Sequence, residues 1–287
     1  MLGAKKIFHW GLAAFFAASL FLCGQSHPAL SPNTPVKIET LSPEQAREAI
    51  ETFRAARFGG DFCLRFSLTH MPRKGAEIVY EGIMWGKGFA DGSALRLVFW
   101  KKDDPQQRTQ YLLLGGKNAR VFKGGLGESA RELSAAQIAE PLAPGLLYSP
   151  FDAMMPFIHW PTYVYQGPKR VQSRACDMFL FYAPDKWRAD NPAQRGVLVA
   201  LDRTFNALIY AQLISDSGEK LRSFRIVDLK KVREQWIVKR IDYTDERTRD
   251  KDRFAVWAAA VQITLPAEIF TVDALQMMPE LPAFEVF

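Results

Sequence analysis

Residues 62–70 read FCLRFSLTH. Phe62, Leu64, Phe66 and Leu68 fall on one side of this stretch, and Cys63, Arg65, Ser67 and Thr69 on the other. A period of two sustained over this length marks a β-strand with one face turned to a core. Strands at 76–86, 94–101, 108–114 and 119–123 follow. RKGA, GFADGS, KKDDPQ and GGKN connect them, and all four are rich in turn formers. Short connections of this kind make neighbouring strands antiparallel, so the first half of the chain reads as a β-meander.

Upstream, the period is that of a helix. Ser42, Pro43 and Gln45 form a capping-box start. Ala46, Ile50, Phe53 and Arg57 then lie along one side, which predicts an amphipathic helix over 43–58 closed by Gly59 and Gly60. Residues 27–41, rich in Pro and Ser, read as an extended linker. Before them, Lys5 and Lys6, the apolar run Ile7–Cys23 and the small residues Gly24 and Ser26 match a secretory signal peptide over 1–26. An uncleaved anchor is the other reading of this run. Cys23 offers a lipidation position, although Leu22 before it is a poor match to that signal. The rest, 42–287, reads as a single domain.

Downstream, the rhythm breaks between 124 and 162. ESARELSAAQIAEPL (128–142) reads as helical. SPFDAMMPFIHWPTYVY (149–165) combines a Ser149 cap, Pro150 and Asp152 with interruptions at Pro156 and Pro161, which predicts two short helical turns. Strands resume from Val171 with CDMFLFYAP, GVLVALD, NALIYAQLIS, EKLRSFRIVDL, EQWIVKRIDY and RFAVWAAAVQIT. LPAEIFTVDAL reads as a short closing helix. The expectation is about eleven strands and three helical segments, a mainly β chain. LRLVF, MFLFY and LIYAQLI are apolar on both faces. An antiparallel sheet usually wets one face, so these strands are covered on both sides or border an apolar cavity. A strongly curved sheet wrapped around helices meets that demand.

The composition narrows the function. With 48% hydrophobic residues the chain can bury a sizeable core, which argues against disorder. A net charge of +6, spread along the chain, leaves no nucleic-acid footprint. Beyond the signal peptide, His27, His70 and His159 lack metal-ligand spacing, and no G-x-S-x-G elbow is present. His159, between Ile158 and Trp160, reads as a partly buried ring rather than a base. Gly125, Gly127 and Ala130 match dinucleotide-loop spacing, but their antiparallel setting makes them a strand-to-helix turn. No catalytic residue, metal or cofactor is expected. Cys63 and Cys176 either pair as a disulfide in an oxidising compartment or sit as two small buried hydrophobes. DERTRDKDR (245–253) reads as a solvated hairpin tip. Lys230, Lys231, Arg233, Lys239 and Arg240 gather along one hairpin, either as an ordinary exposed edge or as a weak patch for anionic headgroups.

The order of these elements resembles the LolA/LolB-like family, in particular its outer membrane lipoprotein-sorting branch. MPRKGAEIVYEGIMWGKGFADGSALRLVF, SPFDAMMPFIHW, KRVQSRACDMFLFYAP, YAQLISDSGEKLRSFRIVDLKKVREQWIVKRIDY and LPAEIFTVDAL carry the likeness, over roughly 50–275. It implies a strongly curved antiparallel sheet forming an unclosed barrel, with helices plugging the concave side around a hydrophobic cavity. It also implies an exported, periplasmic, non-enzymatic carrier. Its cargo would be a lipid or an acylated lipoprotein, and its partners the envelope membrane surface or a membrane-bound protein. On that basis Phe151, Met154, Met155, Phe157, Ile158 and Trp160 would form the plug or lid, and Trp85, Phe99, Phe179 and Phe181 the cavity wall. Residues 183–196 look like an inserted loop. The alternative is an envelope scaffold on the same fold, with 149–165 as filled core.

Overall fold

In the computed structural model, which describes residues 38–287 apart from 57, 58, 90, 91 and 117, the alternating stretch is the heart of strand β1 (Asp61–Met71). Phe62, Leu64, Phe66 and Leu68 point into the main core, and Cys63 points into a second cluster on the opposite face. β2 (Ile78–Phe89) pairs with β1 and sets Gly86 opposite Phe62 and Gly82 opposite Phe66. A Cβ on Gly82 would lie 2.5 Å from the Phe66 ring and 2.8 Å from Val98 O. The two glycines therefore let the β1 phenylalanines lie flat across the neighbouring strand. The signal-peptide reading, Cys23 and the linker as far as residue 37 lie outside the described residues.

The other strands are β3 (Gly92–Lys101), β4 (Asp104–Leu114), β5 (Arg120–Gly125), β6 (Arg131–Glu132), β7 (Tyr163–Val171), β8 (Arg174–Tyr182), β9 (Gly196–Asp202), β10 (Ala207–Ile214), β11 (Lys220–Val232), β12 (Gln235–Asp245), β13 (Lys251–Ile263) and β14 (Glu285–Val286). They form one antiparallel sheet ordered β6-β5-β4-β3-β2-β1-β13-β12-β11-β10-β9-β8-β7, with β14 added to β13. The sheet is strongly curved and does not close, so β6 and β7 remain as edges. The strands beyond the expected eleven are β6, β7 and β14. The first and last are two-residue pairings with no periodicity to read, and β7 alternates only weakly in burial.

Helices plug the concave side. α1 (Pro43–Ala55) starts with the expected capping box, Gln45 N donating to Ser42 Oγ at 3.2 Å and Ser42 N to Gln45 Oε1 at 2.8 Å. It buries Ala46, Ile50 and Phe53. It stops earlier than its periodicity suggests, because Ala56 is already extended, and Arg57 lies outside the described residues. The helix expected over 128–142 shrinks to α2 (Ala135–Ala139). Arg131 and Glu132 pair with β5 instead, and Glu132 meets Arg120 at 2.6 Å. α3 (Pro150–Met154) and a 3-10 turn at Pro156–His159 are the two expected helical turns, separated by Met155 in the left-handed region at φ 48°. The 183–196 segment folds as α4 (Asp185–Asp190), whose Trp187 packs 4.8 Å from the Phe151 ring centre.

On the convex side the chain after β13 lies across β1–β5 as a strap. The expected closing helix is two 3-10 turns, Ala267–Phe270 and Asp273–Gln276. Asp61 fixes the strap's start: its Oδ2 accepts from Leu265 N and from Lys87 Nζ, each at 2.7 Å. Arg96, buried in β3, donates to Ile269 O, Ala274 O, Met277 O and Gln110 Oε1. Both faces of LRLVF are therefore covered: Leu95, Leu97 and Phe99 face the helices, and Arg96 and Val98 the strap.

Candidate ligand cavity

β10 and β11 pair from Tyr210↔Arg225 to Ile214↔Lys220, and there the ladder ends. Ala207 and Leu208 continue along β9 with a register shift at Ile209, while Ile226 onward continue along β12 through register shifts around Asp228. Bulges of this kind bend a strand and add local twist. A cavity of about 450 Å³ lies where the two strands part. Leu208 comes from β10, Phe224 and Ile226 from β11, Ile237 and Ile241 from β12, and Phe53 from the end of α1. This volume falls in the range of small-molecule sites, ~300–1,000 Å³.

The mouth is mixed in character. Val227 and Phe205 line it and are 43% and 36% exposed. Arg174 stands over the Phe205 ring at 5.7 Å and donates to Asp202 Oδ2 at 3.0 Å. Asp202 Oδ1 accepts from Thr204 N and Phe205 N, which fixes the turn that carries Phe205. Asp228 pairs with Arg240 at 3.3 Å. An apolar chamber with balanced ion pairs at its opening suits an elongated apolar group with a polar end.

Of the residues expected at the site, Met155 lines this cavity. Phe151, Phe157 and Trp160 lie beside it as a solid plug, with Phe151 5.8 Å from Phe157 and 6.1 Å from Trp160 between ring centres. Ile158 is fully buried in the same core and Met154 packs partly buried against it. Phe99, Phe179 and Phe181 also face the concave side but are packed in the core, outside the cavity lining. Trp85 is a correction. It follows Met84 in β2, so the period of two turns it to the convex face, where it packs with Phe122 and Leu275's cluster under the strap. Of the lining residues, Leu208 and Ile209 fall in a strand singled out as apolar on both faces. Phe205, Ile226 and Trp236 carried no such signal.

Polar contacts pin the plug to the sheet. Asp252 of β13 accepts from Leu147 N at 2.6 Å and Tyr148 N at 2.9 Å through one oxygen, and meets His70 Nδ1 at 2.7 Å through the other. Arg222 of β11 donates to Leu147 O at 2.7 Å and lies 3.3 Å from Asp152. Arg54 of α1 donates to Ile158 O at 2.6 Å and Trp160 O at 2.9 Å. Sequence could not locate these contacts, because each joins residues separated by 70 or more positions.

The disulfide reading is overturned: Cys63 and Cys176 are both free and buried. They sit in β1 and β8, six sheet positions apart, roughly 29 Å of arc at ~4.8 Å per strand. Burial pushes both thiols up from their ordinary value. The basic hairpin residues are spread among partners. Lys231 meets Glu234, Arg233 donates to Val261 O, and Lys230 and Lys239 stand over the Phe287 ring. Among the described residues no group of three or more His, Cys, Asp or Glu is placed to hold a metal, and no helix is long and apolar enough to cross a membrane.

No protein-family model matches the sequence, and no curated protein is significantly similar to it. Solved structures do match. A domain named for outer membrane lipoprotein sorting, from Vibrio parahaemolyticus, superposes with a TM-score of 0.68 at 13% identity, covering 82% of this chain and 97% of that one. A DUF1329 family protein from Desulfovibrio piger gives 0.65 at 14% identity, covering 80% of this chain and 95% of that one. A LolA superfamily protein from Nitrosomonas europaea gives 0.61 at 15% identity, covering 80% and 99%. At these identities the likeness is one of architecture: the chain has a LolA/LolB-like fold.

Proposed function

We propose that this protein is an exported, non-enzymatic carrier that shields the acyl part of a lipid or lipoprotein in the cavity beside α1, within the cell envelope. One observation carries the reading: an apolar chamber of about 450 Å³ opens where β10 and β11 part, beneath a plug on the concave side of the sheet. A methylene kept in water costs ~0.8 kcal/mol relative to an apolar site, so a carrier of acyl chains needs such a chamber. The signal-peptide pattern before residue 27 supports export. The similar structures include one named for lipoprotein sorting, which supports the cargo class.

The test is native mass spectrometry with lipid extraction on protein purified from a cell envelope without detergent. Co-purified lipid or acylated protein is expected, displaced when Leu208→Trp fills the chamber in a chain with an unchanged circular dichroism spectrum. A second reading, an envelope scaffold with a filled core, is favoured by the close packing of Phe151, Phe157 and Trp160. A clean apo mass, with no displaceable acyl probe, selects that reading.

A further inference from the structure

We propose that the end of the sheet at which the cavity opens is a docking surface for an anionic membrane, so that the cavity mouth faces the bilayer. This goes beyond the carrier reading and is tested separately from it.

The strand pairing sets the geometry. β7 to β12 run side by side and antiparallel, so the turns at 172–173, 203–206 and 233–234 all fall at one end of the sheet. The cavity lies between these hairpins. Gln172 and Arg174 line it from the first, Phe205 from the second, and Asp228 and Trp236 from the third.

Charge is divided unequally between the two ends of these strands. Residues 169–177, 202–206 and 228–240, at the mouth end, carry nine Lys and Arg against four Asp and Glu. Residues 182–196, 214–220 and 243–253, at the far end, carry eight of each. Bases scattered along the sequence are thus gathered by the fold. Each of the four acids already has a base: Arg203 on Asp177, Arg174 on Asp202, Arg240 on Asp228 and Lys231 on Glu234. Lys169, Arg170, Lys230, Arg233 and Lys239 are the surplus. Lys169 and Arg170 are exposed on the edge strand β7, where Arg170 donates to Ser173 O at 3.5 Å. Arg233 donates to a carbonyl, and Lys230 and Lys239 stand over the Phe287 ring. A carbonyl or a ring leaves the positive charge uncompensated.

An anionic bilayer complements this end in both of its properties. Each Lys or Arg near such a surface strengthens binding about fivefold. Phe205, at the second tip, and Val227, at the rim, are both exposed and both border the apolar chamber. Apolar side chains flanked by bases suit the boundary between headgroups and acyl chains. An acidic protein would match the bases but would leave the tip aromatic and the chamber mouth without an apolar partner. With the mouth against the bilayer, an acyl chain passes between chamber and membrane without crossing water.

The test is flotation of protein purified from a cell envelope with vesicles of phosphatidylglycerol and phosphatidylcholine in equal parts, against phosphatidylcholine alone. Binding is expected to be about tenfold tighter or more on the anionic vesicles, and to fall by a similar factor between about 50 and about 500 mM salt. Lys169→Glu with Arg170→Glu, on an exposed edge, is expected to weaken it about tenfold or more. An environment-sensitive dye on Phe205→Cys should shift to shorter wavelength on anionic vesicles. The same dye on Ser217→Cys, at the far end, should stay unshifted; Cys63 and Cys176 are buried, so each variant carries one reactive thiol. The dye pair reads the orientation whether or not the charge variant folds. No preference for anionic vesicles, wild-type binding by the folded charge variant, or equal dye shifts at the two ends overturns the proposal. Binding of soluble polyglutamate without binding of vesicles also overturns it, and assigns the basic end to an acidic protein. None of these outcomes bears on whether the chamber holds an acyl chain, which lipid extraction reads.

Discussion

Asp252 and His70 meet at 2.7 Å across β13 and β1, and the second Asp252 oxygen holds the backbone of Leu147 and Tyr148 just ahead of α3. One fully buried carboxylate thus ties the entry of the plug to the sheet. Asp252→Ala leaves two amide donors and an imidazole without their acceptor, and is expected to cost about 3 kcal/mol in urea unfolding.

The same group sets a pH dependence. Burial is the largest influence on Asp252 and raises its pKa, against hydrogen bonds from His70, Tyr148 and Leu147 that lower it. A carboxyl whose folded pKa exceeds its unfolded value binds its proton more tightly when folded. Its stabilising contribution is then full below the unfolded pKa and is lost as pH rises through the folded one. Relative to Asp252→Asn, the wild type is expected to lose stability as pH rises from the ordinary aspartate value through the interval just above it. A wild type that gains over that interval would show that the hydrogen bonds outweigh burial.

Arg96 is the pin of the convex strap. It is 1% exposed, its pKa is pulled by burial down to about 10, and it reaches three strap carbonyls and Gln110. Arg96→Met is expected to cost about 2–4 kcal/mol, because orphaned buried carbonyls outweigh the relief of desolvating a charge. Limited proteolysis should then cut first within 266–284. Arg96→Lys should recover less than half, since an ammonium cannot span the same fork of acceptors.

The aromatic plug is a matter of stability more than of ligand contact. Phe157→Ala is expected to cost about 3–5 kcal/mol, read from thermal or urea unfolding. Affinity for an acyl probe, measured where the variant is still folded, should change less than with Leu208→Trp.

The thiols should be silent. Cys63 and Cys176 are buried and their pKa values are raised. A thiol reagent is therefore expected to leave both unlabelled in folded protein and to label both after unfolding without reductant, as peptide mass mapping would show. Labelling of neither after unfolding would reveal a disulfide.

The architecture was legible because period-two strands and turn formers are local signals. Phe62 to Leu68 alternate in sequence and face the core in space. The capping boxes at Ser42 and Ser149 were legible for the same reason. The cavity was not. Its position depends on where the β10–β11 ladder ends, which is a property of pairing across the sheet and of bulges near Asp228. Hydrophobicity marked Phe157 and Trp160 as readily as Leu208, and composition cannot tell a side chain that fills a space from one that borders it. Trp85 shows the same limit: the resemblance suggested a wall, and its parity in β2 placed it on the opposite face.

The end of the β10–β11 ladder has a mechanical counterpart. β12 pairs with β13 only over Arg240–Thr244 among the described residues, and beyond Arg240 the two strands share no ladder. The half-hairpin from Ile226 to Lys239 is therefore a cantilever, hydrogen-bonded within itself and rooted at one end. Its free end rests on side chains: the Gln235 amide, its oxygen toward Gly59 N at 3.0 Å and its nitrogen toward Gly59 O at 3.2 Å, and Arg233 on Val261 O. Widening the chamber elsewhere along the sheet would break ladder bonds at about 1 kcal/mol each. Deflecting this beam breaks no ladder bond to β13, so its position is held by the Gln235 and Arg233 contacts and by the burial of Val232, Ile237 and Val238 in the core.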